Sequence, residues 1–261
     1  MNPTRIGTHT PFSHPQTLPL RSVVEIAVEP ILVVAPHPDD ETLGCAGAIA
    51  LLRSMGHTVY ILVMSDGTQS HPHSRKYPKA ALQQLREAET CRAMEILGVE
   101  EPCITFFALP DGAIATALAP GSAAIDQCQT YLANITPQLI LLPWRHDPHP
   151  DHRATWQILQ TALARLDLCP RLLEYPIWDW DIHQRQLLAE PAVQPWRLDI
   201  AEVFALKQQA ISAYLSQTTD LINDDPTGFR LTPEMLGNFT QPWELYLEQL
   251  EQNHEPRIFT C

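Results

Sequence analysis

Four short, almost purely apolar runs limit the fold more than any other feature: ILVVA at 31–35, TVYILVM at 58–64, ITFFA at 104–108 and LILL at 139–142, each separated from the next by a helix-length segment. A run without polar alternation suits a strand buried on both faces, and such strands belong to parallel sheets covered by helices on either side. A fifth strand is expected at 172–177. Helices are expected over 42–56, ending at the C-cap candidate Gly56, and over 78–97, where Ala81, Leu85, Ala88 and Ile96 share a face and Gly98 stops the pattern. Two more are expected over 122–135 and 151–166. Strands and helices in alternation call for right-handed crossovers, so the expected fold class is α/β, a Rossmann-like three-layer fold with a mostly parallel central sheet. In the doubly wound order 3-2-1-4-5 the first and fourth strands are neighbours, and their connections leave in opposite directions to open a crevice at the carboxyl ends.

The ends of the chain carry weaker patterns. Residues 1–27 lack hydrophobic periodicity and read as an extended or mobile segment, with 28–261 as a single domain. Residues 197–203 read as a last strand and 201–217 as a helix, while 218–243 has the Asn, Asp, Pro and Gly density of a loop.

Composition removes several classes of function. With 17 Lys and Arg against 30 Asp and Glu, the formal net charge is -13, the opposite of what phosphate neutralisation in nucleic-acid binding requires. Six cysteines, Cys45, Cys91, Cys103, Cys128, Cys169 and Cys261, stand at wide spacings with no C-x-x-C pair, which argues for free thiols in a reducing compartment and against a thiolate zinc knuckle. No run approaches the roughly 20 apolar residues of a spanning helix, and the first residues lack a signal-peptide core. A cytoplasmic protein without membrane insertion is expected, and a homo-oligomer is compatible with the sequence.

Two stretches then stand out: HPDDE at 37–41, directly after the first strand, and HPDH at 149–152, shortly after the fourth. The topology joins them at the crevice. Imidazole and carboxylate both bind a divalent metal of zinc type, and catalytic sites use three protein ligands while leaving a position for water. His37, Asp40 and His152 are the most economical ligand set, since His37 and Asp40 flank a turn that Pro38 helps to fix and His152 arrives from the first turn of the next helix. Asp39 and His149 are left beside the metal, where an acid/base group and an oxyanion partner would stand. Glu41 and Asp151 are candidates for orienting the ligand imidazoles.

At these residues the sequence resembles the PIG-L/LmbE-like zinc-dependent N-deacetylases. The resemblance runs from about residue 30 to 220 and is carried by PHPDDETLGCAG, SDG, LREAETCRAMEILGV, PDG, PWRHDPHPDHR and RLDIAEVFALKQQAISAYLSQ. Pro36, before His37, departs from the commoner Ala of the family. The resemblance implies zinc on His37, Asp40 and His152, with Asp39 as general base and His149 assisting at the oxyanion or leaving group. It also implies substrate contacts at Arg86 and Asp111, although Arg86 beside Glu87 and Glu89 also reads as a solvated helix face and Asp111 as part of a turn.

The expected reaction is therefore hydrolysis of an N-acetyl group on an amino sugar or amino-sugar conjugate, with Zn2+, Fe2+ or another divalent metal. The same metal site would also serve a different amide-linked conjugate. Two His and one carboxylate further describe the facial triad of non-haem Fe(II) oxygenases, for which an all-β scaffold is expected instead. A nucleotide-binding module is disfavoured by the absence of G-x-G-x-x-G after the first strand. Trp178 and Trp180 offer an aromatic wall to a sugar ring. The other histidines, His9, His14, His57, His71, His73, His146, His183 and His254, read as surface or loop residues, with His146 notable for its nearness to HPDH.

Overall fold

A computed structural model describes residues 14–119, 121–180 and 193–249. Among these residues eight strands make one sheet: β1 (Leu20–Arg21), β2 (Ile31–Ala35), β3 (Val59–Ser65), β4 (Ile104–Leu109), β5 (Leu139–Pro143), β6 (Arg171–Tyr175), β7 (Val193–Asp199) and β8 (Trp243–Gln249). Their spatial order is β1-β7-β8-β6-β5-β2-β3-β4. The stretch β4-β3-β2-β5-β6 is parallel throughout and has the expected 3-2-1-4-5 order. Beyond β6 the sheet continues through β8, which is antiparallel to both β6 and β7, and ends at β1, parallel to β7.

Every residue of β2 is buried, and its side chains divide between two cores. Ile31, Val33 and Ala35 pack with α1 (Asp40–Ser54), α2 (Lys79–Ile96) and α5 (Phe204–Ile211). Leu32 and Val34 pack with α3 (Ala123–Ile135) and α4 (Pro150–Leu166). This is the three-layer arrangement. Each Val, Leu or Ile so buried contributes about 1.5–3 kcal/mol relative to exposure, and two covered faces explain why the run carries no polar alternation.

Several expectations at the ends of the chain need correction. Order begins ahead of Val28: Leu20 and Arg21 pair with Arg197 and Leu198, and Ile26 is fully buried. Residues 1–13 lie outside the described residues. The last parallel strand begins at Val193 and ends at Asp199, so it does not run on to residue 203. The helix expected over 201–217 is interrupted, with a 3-10 turn at Ala201–Val203, α5, a break at Ser212–Tyr214, and the short α6 (Leu215–Thr218). The segment read as a loop contains α7 (Pro233–Phe239) and is followed by β8, a strand absent from the sequence expectations.

The reason β8 escaped is physical. Glu244 and Glu248 break its apolar pattern, yet Glu244 is buried and bonded to Lys207 Nζ at 2.7 Å and to the amides of Gly47 and Ala48 at 2.7 and 2.9 Å. A carboxylate that looks solvated in sequence is thus neutralised inside the fold.

The central strands set up the site. β2 and β5 are neighbours, with Ile31 opposite Leu139 and Val33 opposite Leu141. The chain leaves β2 for α1 on one face and β5 for α4 on the other, so the crevice lies between residues 36–41 and 144–152. Close approach is also required: a Cβ on Gly44 would lie 2.4 Å from the ring of Tyr175, whose hydroxyl donates to Val34 O at 2.7 Å. No helix among the described residues is long and apolar enough to cross a membrane.

Candidate active site

The first wall of the crevice is the turn from β2 into α1. Asp39 is the N-cap of α1 but makes no side-chain cap bond, and its backbone adopts φ 133° and ψ -25°. That is a left-handed conformation costing a non-glycine residue about 1–3 kcal/mol, so contacts around it must hold it there. Arg86 reaches from α2, donating from Nη2 to Pro38 O and standing 3.3 Å from Asp39 Oδ2. Glu41 Oε2 accepts the Asp39 amide at 3.2 Å. Thr42 Oγ1 donates to Glu41 Oε1 at 2.9 Å, and the hydroxyl of Tyr214 donates to the same oxygen.

The second wall is the start of α4, and it is conformationally ordinary. His149 is the N-cap with φ -73°, Pro150 occupies the first turn, and His149 Nδ1 accepts the Asp151 amide at 3.2 Å. Since Nδ1 accepts, the ring proton sits on Nε2. Burial first, then the neighbouring His152 and His37, lower the pKa of His149 to about 4, so the ring is neutral at physiological pH.

Between the walls three donor atoms converge. His37 Nδ1 lies 3.2 Å from Asp40 Oδ2 and 3.3 Å from His152 Nε2, and His152 Nε2 lies 3.3 Å from Asp40 Oδ2. The edge of a tetrahedron with metal–ligand bonds of about 2.0–2.1 Å is roughly 3.3 Å, so this triangle fits one face of a tetrahedral divalent site with the fourth position open. His152 is fully buried and Asp40 nearly so. Two other groupings also meet at His37, one with His149 and His152, the other with Asp111 and Asp151. The second lies on the far nitrogen of His37: Nε2 stands 3.3 Å from both Asp111 Oδ1 and Asp151 Oδ2. Asp151 already accepts the amides of Gly112 and Ile114 at 2.7 and 3.0 Å, and Asp111 accepts that of Gln69 at 2.7 Å. Both carboxylates stand within reach of an Nε2–H, while Nδ1 faces the triangle, where Asp40 Oδ2 also accepts the His37 amide at 2.9 Å.

Electrostatics follow the same division. Burial would lower the pKa of His37, but Asp111, Asp151 and Asp40 together raise it well above its usual value. His152 behaves likewise: burial opposes, and Asp147 and Asp40 raise it to about 9. Asp40 is held well below the carboxylate range, its burial outweighed by His152 and His37. Asp39 moves the other way. Burial pushes it up to about 8, with Arg86 pulling down and Asp40 and Glu41 pushing up.

Against the sequence expectations, the structure brings His37, Asp39, Asp40, Glu41, Asp111, His149, Asp151 and His152 into one cluster, with Arg86 beneath the first turn. Arg86 is 3% exposed, so its reading as a solvated helix face is wrong; the hydrophilic context of Glu87 and Glu89 concealed an inward-facing guanidinium. Asp151 Oδ2 lies 3.3 Å from His37 Nε2, whereas Glu41 touches the Asp39 backbone rather than an imidazole. The residue missed is Asp147. Fully buried, it lies 3.4 Å from His152 Nδ1 through Oδ2 and accepts the amides of His149, Ile177 and Trp178. Its signal was its place in HDPHPDH, five residues ahead of the histidine it faces.

Of the aromatic pair, Trp178 stacks on His149 at 5.9 Å and meets Phe229 at 5.6 Å, whereas Trp180 packs toward Trp243 at 6.2 Å. His146 turns to Trp144, with ring centroids 5.1 Å apart, and takes no place in the triangle. His71, read as a surface or loop residue, lies in the β3–α2 connection but is buried beneath Gly228, a contact formed by a segment distant in sequence. His57 is paired with Glu29 at 3.1 Å. His9, His183 and His254 lie outside the described residues, as does Cys261; Cys45, Cys91, Cys103, Cys128 and Cys169 are free thiols.

Comparison with known proteins bears on the family and the fold. The probable N-acetyl-α-D-glucosaminyl L-malate deacetylase 2 of Bacillus subtilis is 27% identical over 209 residues, covering 75% of this chain and 86% of the relative. The solved structure of N,N'-diacetylchitobiose deacetylase from Pyrococcus horikoshii has a TM-score of 0.54 at 22% identity, covering 83% of this chain and 77% of its own. GalB, the 4-carboxy-2-hydroxymuconate hydratase from Pseudomonas putida, has a TM-score of 0.59 at 20% identity, covering 80% and 82%. At such identities the two structures show a shared fold, and one fold hosts more than one chemistry. The family model described as PIG-L, GlcNAc-PI de-N-acetylase, matches residues 32–163, which is half of the chain and contains both His-Pro-Asp turns, and the chain therefore belongs to the PIG-L family.

Proposed function

We propose that the chain is a zinc-dependent N-deacetylase that hydrolyses the N-acetyl group of an amino sugar or amino-sugar conjugate to acetate and a free amine. The observation that carries this reading is the donor triangle of His37, Asp40 and His152 with the Asp39 carboxyl group beside it. A divalent metal held there supplies Lewis acidity, lowering the pKa of a water and polarising the acetamide carbonyl.

The chain's own residues do the rest. Asp39 receives the proton of the attacking water, and Arg86 fixes its carboxylate and lowers its pKa from the value burial alone would set. A cation in the triangle acts on Asp39 in the same direction as Arg86. His149, neutral with its proton on Nε2, donates a hydrogen bond to the developing oxyanion. With a pKa of about 4 it holds no second proton to give at neutral pH, so return of the proton to the departing amine falls to Asp39. Asp147 orients His152, and Asp111 and Asp151 orient His37.

Relatives named for N-acetylglucosaminyl malate and diacetylchitobiose support a sugar substrate. Trp178, backed by Phe229, forms an aromatic side to the crevice on which a sugar ring can stack. Arg86 and Asp111 are the proposed sugar contacts, each with a second task already visible in the structure. The test is release of primary amine by the zinc-loaded chain from N-acetylglucosamine, diacetylchitobiose and N-acetylglucosaminyl malate. Equal amounts of acetate and amine, abolished by a chelator and restored by zinc, are expected; chelator-insensitive release, or silence across all three with metal bound, would overturn the reading.

A further inference from the structure

Tyr214 is the last residue of the break between α5 and α6, is 1% exposed, and comes from a part of the chain remote from both His-Pro-Asp turns. Its hydroxyl donates to Glu41 Oε1 and has Thr42 Oγ1 at 3.2 Å and Thr90 Oγ1 at 3.5 Å as further neighbours. The other oxygen of Glu41 accepts the Asp39 amide at 3.2 Å. Phenol, carboxylate and strained backbone therefore form one buried chain of hydrogen bonds. Asp39 is thus clamped twice, by Arg86 on its carboxylate and the preceding carbonyl, and by Glu41 on its own N–H.

We propose that Tyr214 is a positioning residue for Asp39, acting through Glu41 to hold the left-handed turn that presents the carboxylate to the crevice. The proposal rests on Asp39 as the base of an amide hydrolase. A buried carboxylate stays in place only while its hydrogen-bond partners do. Without the phenol O–H, Glu41 keeps only the donation of Thr42 on that oxygen, and its grip on the Asp39 amide weakens. The turn is then free to relax toward negative φ, as any L residue prefers. The break in the 204–218 helix is accounted for as well. Ser216 donates from its backbone and hydroxyl to Glu89 at 2.7 and 2.6 Å, anchoring the chain just past the point where the phenol must enter.

The experiment compares Tyr214→Phe, Glu41→Gln, the double variant and Thr90→Val in the full zinc-loaded chain. Readouts are kcat, KM, bound zinc and the backbone at residue 39 in crystal structures. Tyr214→Phe should lower kcat by about 10- to 100-fold, the scale of a small misplacement of a reacting group, with KM within about twofold and zinc stoichiometric. The double variant should be no slower than Glu41→Gln alone, because the two act in series. Thr90→Val, which removes a neighbour without touching Glu41, should stay within about twofold of the parent. In the Tyr214→Phe crystal structure residue 39 should leave the positive-φ region. Unchanged kcat with residue 39 unmoved, additive losses in the double variant, or a fall in kcat that merely follows lost zinc would each overturn the proposal. The crystallographic readout needs no turnover, so it decides the role of Tyr214 even if none of the amides proves to be a substrate.

Discussion

The two His-Pro-Asp turns use the same residue types and opposite mechanics. At the β2–α1 turn the N-cap is an aspartate, a residue well suited to bonding the first free amides of a helix, yet its carboxylate makes no cap bond and its backbone is strained at φ 133°. At the β5–α4 turn the N-cap is a histidine, a poor choice for the task, yet it caps Asp151 N in relaxed geometry at φ -73°. The aspartate has been withdrawn from helix capping to face the crevice, and the histidine has been set into capping so that its other nitrogen carries the proton. Local preference is overridden at the residue proposed as the base, and obeyed where a cap sets the tautomer of the histidine.

The largest effects should come from breaking both turns at once. His37→Ala or His152→Ala removes a vertex of the triangle, and the expected result is loss of bound zinc and of all measurable turnover, checked by metal analysis and amine release. Asp39→Ala separates the turns: zinc should stay and kcat should fall by about 100- to 10,000-fold, the usual weight of a general base. His149→Ala should cost about 100- to 1,000-fold in kcat, as expected for one oxyanion donor, with zinc again retained.

The mechanical contrast has its own test. Asp39→Gly and Asp39→Ala remove the same carboxylate and differ in backbone freedom, so chemical denaturation should find the glycine variant more stable by about 1–3 kcal/mol. At position 149 the same pair should differ by less than about 1 kcal/mol, since only a cap is exchanged. Equal gaps at the two positions would remove the distinction between a strained turn and a relaxed one.

A smaller effect follows from His152, whose pKa in the metal-free protein is raised from 6.5 to about 9, burial being outweighed by Asp147 and Asp40. Its folded-state pKa lies above the unfolded value, so the stability it contributes to the metal-free fold is complete below about pH 6.5 and is lost as pH rises through about 9. Zinc must displace that proton. Calorimetric titration should show affinity rising about tenfold per pH unit for each proton displaced, with the share due to His152 levelling above about 9. Asp147→Asn should lower zinc affinity by about 10- to 100-fold and flatten that dependence by removing the negative charge that lies 3.4 Å from Nδ1.

Much of this was legible in the sequence because it depends on local pattern and topology. ILVVA and LILL announce buried strands, and the doubly wound order then forces the turns that follow them together. What could not be read depends on long-range partners. The strain at Asp39 is held by Arg86 and Glu41; Glu244 of β8 is matched inside the fold by Lys207 and two amides of α1; and Tyr214 read as one more residue of a continuous helix. Asp147 lay in plain view, and its role was hidden because an Asp before Pro reads first as a turn residue.

The most direct test of the account is anomalous diffraction from crystals of the zinc-loaded chain, which locates the metal without reference to any substrate. A single strong peak is expected within bonding distance of His37 Nδ1, Asp40 Oδ2 and His152 Nε2. A peak on the other side of the ring, among His37 Nε2, Asp111 and Asp151, or no peak at stoichiometric zinc, would contradict it.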